Sequence, residues 1–136
     1  MTDPDLVAKK LALIETCVRE LRTLARPELI DKDVREARFV EHTLQVAIQA
    51  ALDAASHVVA DERLGEPSTY RELFAMLERA GYLPEALSGE LEKMAGFRNI
   101  LVHGYDAVDL NVVKDIVAHR LDDLERFAER IRERLP

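Results

Sequence analysis

At 136 residues, with 48% apolar and 33% charged side chains but 5% aromatic, the chain has apolar material for one core and too little for two domains, so residues 1–136 are read as a single domain. Straight-chain helix formers dominate while Gly and Pro number five each, which excludes a multi-stranded β fold, and a net charge of −7 excludes a protein that coats nucleic acid by bulk electrostatics. Cys17 stands alone, so neither an intramolecular disulfide nor a Cys-rich metal site forms, and no apolar run reaches the roughly 18 residues of a membrane span.

The start, Met-Thr-Asp-Pro-Asp, has neither a basic flank nor a signal-type apolar core, which predicts a soluble, cytoplasmic protein. From Leu6 to Ala25, Leu6, Leu13, Ile14, Cys17, Val18, Leu21 and Leu24 recur at helical spacing between Pro4 and Pro27, predicting a first helix with Cys17 on its core side. A long helix follows from Asp31 to about Ala60, with Val34, Ala37, Val40, Leu44, Ala47, Ile48, Ala51, Ala55 and Val58 in one arc. Its opposite side carries His42, Gln45, Gln49, Asp53 and Ser56, a band read as solvated. Asp61–Ser68 is a loop by its turn residues.

Thr69 and Glu72 have capping-box spacing ahead of Leu73, Phe74, Met76 and Leu77, and Gly81 offers a stop, giving a short third helix. Pro84 permits a new start, after which Leu87, Leu91, Met94, Phe97 and Leu101 continue at helical intervals to Gly104. Asp109 caps a last helix with the stripe Val113, Val117, Leu121, Leu124, Ala128, Ile131 and Leu135. Four long amphipathic segments and one short one predict an all-α, antiparallel four-helix-type bundle with an additional short helix.

Arg98 interrupts the apolar stripe of the fourth helix. A guanidinium stays charged at ordinary pH, so it needs either a buried carboxylate, for which Glu41 is the candidate, or a wet cleft in which an anionic phosphate or carboxylate binds its planar fork. His103 follows five residues later, then Gly104 and Tyr105. On a continuous α-helix Arg98 and Tyr105 share a face, while Arg98 and His103 lie about 140° apart. Either the helix unwinds near Gly104, or a second copy brings its own motif to the same cleft. His42, His57 and His119 lack a zinc spacing, no Walker or dinucleotide glycine motif occurs, and Met76 and Met94 read as core fillers.

Arg98, His103 and Tyr105 form an Arg-x4-His-x-Tyr motif that resembles that of HepT-type HEPN proteins, the toxins encoded beside minimal nucleotidyltransferases of the MntA type. The flanks are similar too: RFVEHTLQVAIQAALDAASHVV, PSTYRELFAMLERAGYLP, FRNILVHGYDAVD and LDDLERF, covering about Val34 to Ile131. The resemblance implies a HEPN bundle, a homodimer with paired motifs in a cleft, and endoribonuclease activity without metal or other cofactor. It also implies neutralisation by the cognate nucleotidyltransferase, which attaches AMP to the motif tyrosine, here Tyr105.

The residue types suit that chemistry. Cleavage by the RNA 2′-hydroxyl needs proton transfer and stabilisation of charge on phosphorus; an imidazole such as His103 transfers protons near neutrality, and Arg98 holds phosphate. Asn99 either orients substrate or is a helix-surface group. Tyr105 is no nucleophile at the ordinary phenol pKa, but a phosphodiester and base attached to it repel and block incoming RNA. Because the chain is acidic, RNA binding calls for a locally positive cleft built from Arg98 with Lys93, Arg71 or Arg79. A rival reading is an inert helical module that presents nucleotide or substrate to the nucleotidyltransferase.

Overall fold

The computed structural model describes residues 3–104 and 108–136. Asp3 opens the first helix, its carboxylate accepting from the backbone N–H groups of Asp5 and Leu6 at 3.1 and 3.3 Å. Helix α1 spans Pro4–Leu24, a 3₁₀ turn covers Pro27–Leu29, and α2 spans Val34–Asp61 behind the cap Asp33. Helices α3 (Tyr70–Arg79) and α4 (Glu85–His103) follow. The last segment is α5 (Leu110–Asp115), a π-helical stretch (Ile116–Arg120) and α6 (Leu121–Glu133). No strand occurs among the described residues, and the architecture is the expected all-α antiparallel bundle with α3 as the short addition.

Helix α2 is the centre: it packs against α1, α3, α4 and α6. Its burial therefore exceeds the single arc read from the sequence, adding Thr43, Ala50, Leu52, Ala54 and Val59. The alanines let neighbouring helices approach closely. At its start Val34, placed in the buried arc by the sequence, is instead 69% exposed. The polar band stays at the surface or half-buried, with Asp53 accepting from Gln49 at 2.8 Å and pairing with Lys10 at 3.2 Å.

The register of α1 differs from expectation. Val7 and Leu11 complete its buried face with Ile14, Cys17, Val18 and Leu21, while Leu6, Leu13 and Leu24 lie on an adjacent exposed flank. Cys17 is in the core as predicted, where burial raises its thiol pKa, with Glu20 adding to the effect.

Helix α3 begins at the predicted cap. Thr69 Oγ1 accepts from the Glu72 N–H at 3.4 Å, and the Glu72 carboxylate reaches back to the N–H of Ser68, one residue earlier than in a capping box. Leu73, Phe74, Met76 and Leu77 are buried as expected, and Phe74 meets Phe127 of α6 edge-on at 5.7 Å. Gly81 ends the helix with φ +85°. In the preceding loop Gly65 has φ +134°, and a Cβ there would lie 2.9 Å from the Met76 methyl. The loop thus passes directly over α3.

Asp109 caps α5 as predicted, accepting from the Asn111 N–H at 2.9 Å. The π-helical stretch was not legible as such. Ile116 and Leu121 are both buried five residues apart, a spacing that a π turn closes, whereas a continuous α-helix would turn Arg120 inward. Val117, assigned to the stripe, is half-buried instead, and Phe127 joins it.

Candidate active site

Helix α4 carries Arg98, Asn99 and His103, and its core face sets where they project. Leu87, Leu91, Met94, Phe97 and Leu101 are all buried, as expected, and fix the rotation of the helix against α2, α3 and α6. That rotation leaves Arg98 half-buried at the edge of the apolar face and Asn99 exposed beside it.

The guanidinium of Arg98 lies over the ring of Tyr70 on α3, 5.5 Å from its centroid, and Nη1 donates to Asn99 Oδ1 at 3.2 Å. Its Nε is buried and meets no acceptor among the described residues. The carboxylate pair considered for it is not formed: buried Glu41 is engaged by Arg38 one turn earlier on α2, Nη1 to Oε2 at 3.6 Å. Arg98 therefore keeps its positive charge uncompensated by any carboxylate among the described residues.

His103 is the last residue of α4 and is exposed. The helix does not unwind before it, and Gly104 has φ −112° rather than a left-handed value, its N–H donating to the Ile100 carbonyl at 2.8 Å. Arg98 and His103 of one chain therefore project about 140° apart, as a regular helix demands. Tyr105 lies outside the described residues.

Asn99 lines a groove of about 400 Å³ with Ser56, Pro67, Ser68, Thr69, Tyr70 and Leu73. A neighbouring cavity of about 500 Å³ shares Ser56, Pro67 and Leu73 and adds Arg63, whose φ of +54° is left-handed. The cations expected to join Arg98 are placed differently from one another. Arg71 is exposed in the first turn of α3 beside Tyr70, but Arg79 is at the far end of that helix. Lys93 lines a different groove and pairs with Glu90 at 3.4 Å, because it sits about 140° round the helix from Arg98. Sequence reasoning missed Tyr70. The signal was an aromatic directly after the Thr69 cap, masked because it falls at core spacing from Leu73, Phe74 and Leu77.

No group of three or more His, Cys, Asp or Glu capable of holding a metal occurs among the described residues, and no helix of theirs is long and apolar enough to cross a membrane.

The family model described as Ribonuclease HepT-like matches residues 14–131. The chain belongs to the HepT-like ribonuclease family. An mRNA nuclease HepT from Shewanella oneidensis is 31% identical over 94% of this chain and 97% of its own length. A tRNA nuclease HepT from Aphanizomenon flos-aquae is 27% identical over 95% of this chain and 89% of its own. Among solved structures, a tri-AMPylated Shewanella oneidensis HEPN toxin in complex with its MNT antitoxin superposes with a TM-score of 0.87 at 30% identity, covering 98% of this chain and 99% of that one. The fold expected from the motif is thus the fold of the family.

Proposed function

We propose that this chain is the toxin of a toxin–antitoxin pair: an endoribonuclease that cuts RNA without a metal in a cleft shared by two copies, silenced when a minimal nucleotidyltransferase adenylylates Tyr105. Membership of the ribonuclease family and the likeness to an AMPylated toxin bound to its antitoxin support the reading. The observation that carries it is Arg98, a half-buried guanidinium with no carboxylate partner among the described residues, on the same helix as an exposed His103.

Such a guanidinium binds the non-bridging oxygens of a phosphodiester and stabilises the charge that grows on them. The RNA 2′-hydroxyl attacks phosphorus and loses its proton to one imidazole. The 5′-oxygen leaves and receives a proton from another, giving a 2′,3′-cyclic phosphate and a free 5′-hydroxyl. Because Arg98 and His103 of one chain diverge, the second copy supplies the missing partner, and two His103 side chains divide the base and acid roles. Asn99 braces the Arg98 fork and takes part in holding substrate.

The test incubates the parent protein and His103→Ala with RNA in excess chelator. Cleavage by the parent alone is the expected result; equal cleavage by both, or none by either, favours the inert module. With the nucleotidyltransferase and ATP, intact mass should rise by adenylyl units for the parent and stay unchanged for Tyr105→Phe.

A further inference from the structure

We infer that the groove beside Arg98 is a nucleobase subsite with the ring of Tyr70 as its stacking platform, so that RNA held by its phosphate at Arg98 lays an adjacent base against Tyr70. The inference rests on the ribonuclease reading above and extends it to a residue outside the Arg-x4-His-x-Tyr motif.

Tyr70 is conspicuous by its exposure. Phe74, Tyr82, Phe97 and Phe127 are buried and Phe39 packs against the core, whereas Tyr70 is 50% exposed. Its ring is nevertheless held: Thr69 and Glu72 cap the turn that carries it, and the Arg98 guanidinium lies against it. A ring so fixed loses little further freedom when a ligand stacks on it.

The groove has the chemistry of a base site. Tyr70, Pro67 and Leu73 offer flat apolar surface; Ser56, Ser68, Thr69 and Asn99 offer hydroxyl and amide groups that both donate and accept. None of the lining residues is charged, which suits a neutral heterocycle and not a phosphate. Its volume of about 400 Å³ lies within the roughly 300–1,000 Å³ of small-ligand sites. Charge is supplied alongside by Arg98, in contact with the same ring, so one nucleotide spans both. A base reaches such a site only when splayed from its stack, which makes single-stranded RNA the substrate form.

The test uses His103→Ala as a non-cleaving parent and measures binding of a labelled single-stranded RNA of about 12 nucleotides and of a fully abasic oligomer of equal length. Tyr70→Ala in that background should weaken binding of the RNA by roughly 5- to 150-fold, as loss of one base–aromatic stack does, with binding recovered in Tyr70→Phe. The abasic oligomer should be bound equally by the parent and by Tyr70→Ala. Should Tyr70→Ala fail to unfold cooperatively, Tyr70→Leu replaces it. Equal weakening on both oligomers overturns the inference, because the ring then merely props Arg98. Parental RNA binding with no effect of Tyr70→Ala overturns the inference alone, and failure of the parent to bind RNA overturns the ribonuclease reading with it.

Discussion

Replacing Arg98 with Met separates a guanidinium kept for substrate from one kept for the fold. Met retains an unbranched apolar stem on α4 and removes the charge. Three consequences for stability follow from the geometry. The buried Nε without an acceptor among the described residues is removed, a gain of about 1–3 kcal/mol. The hydrogen bond to exposed Asn99 and the contact over the Tyr70 ring are lost, each about 0.5–1 kcal/mol. The net lies between a loss of about 1 and a gain of about 2 kcal/mol, which for a domain of this length places Tm between about 4 °C below and about 7 °C above the parent. Breaking a buried structural ion pair would instead cost about 3–5 kcal/mol. Urea titrations of parent and variant at equal protein concentration, followed by helical circular dichroism, give the difference, and the chelator assay should show RNA cleavage abolished. A loss of 3 kcal/mol or more would refute the reasoning, since the arginine would then be holding the bundle together.

Two further substitutions read carboxylates of opposite sign. Glu15 accepts two hydrogen bonds from the Arg132 fork at 2.8 and 2.9 Å, tying α1 to α6, and that fork holds its carboxyl below the usual pKa. The stabilisation is present above the ordinary glutamate value and lost as pH falls through the lowered one, so Glu15→Gln should cost about 0.2–1 kcal/mol at pH 7 and nothing in strong acid, by thermal melts at both pH values. Asp123, buried on α6, has its pKa raised by desolvation, an effect that Arg120 only partly offsets. Its contribution is present below the ordinary aspartate value and lost as pH rises through the raised one. Asp123→Asn should therefore melt above the parent at pH 7 and with it in strong acid; a lower melt at pH 7 would show that the charge is compensated in the fold.

What the sequence made legible was local and periodic. The caps Thr69 and Asp109, the stop at Gly81 and the five buried apolar residues of α4 each depend on neighbours within a turn or two. The rotation of α1 depends on where α2 and α6 lie. Its wheel offers two adjacent apolar flanks, and only packing chooses Val7 and Leu11 over Leu6 and Leu13. The π turn at Ile116–Arg120 escaped because Val117 gave the stripe an unbroken alternative. At the site, Arg98, Asn99 and His103 were visible as chemistry on one helix, and the helical step alone already turns Lys93 away from Arg98, but two facts required coordinates: that Glu41 goes to Arg38, and that Tyr70 of another helix lies under Arg98.

The net charge of −7 is a poor guide to what this site attracts. Several cations elsewhere are held in ion pairs: Arg132 with Glu15, Lys93 with Glu90, Lys10 with Asp53, Arg38 with Glu41. Beyond a Debye length of about 8 Å the surplus carboxylates are largely screened, so an approaching phosphate feels mainly the charges nearest the groove, Arg98 among them. In the proposed dimer the Arg98 side chains of the two copies converge on one cleft and repel each other until an anion lies between them. In the proposed reaction RNA phosphate would meet that need transiently and leave after cleavage. In the proposed regulation, AMP units on the motif tyrosine would meet it permanently, because covalently held phosphates cannot diffuse away. On that proposal, the electrostatics that draw RNA in would also make covalent adenylylation an effective block, with no change in the fold of the bundle required.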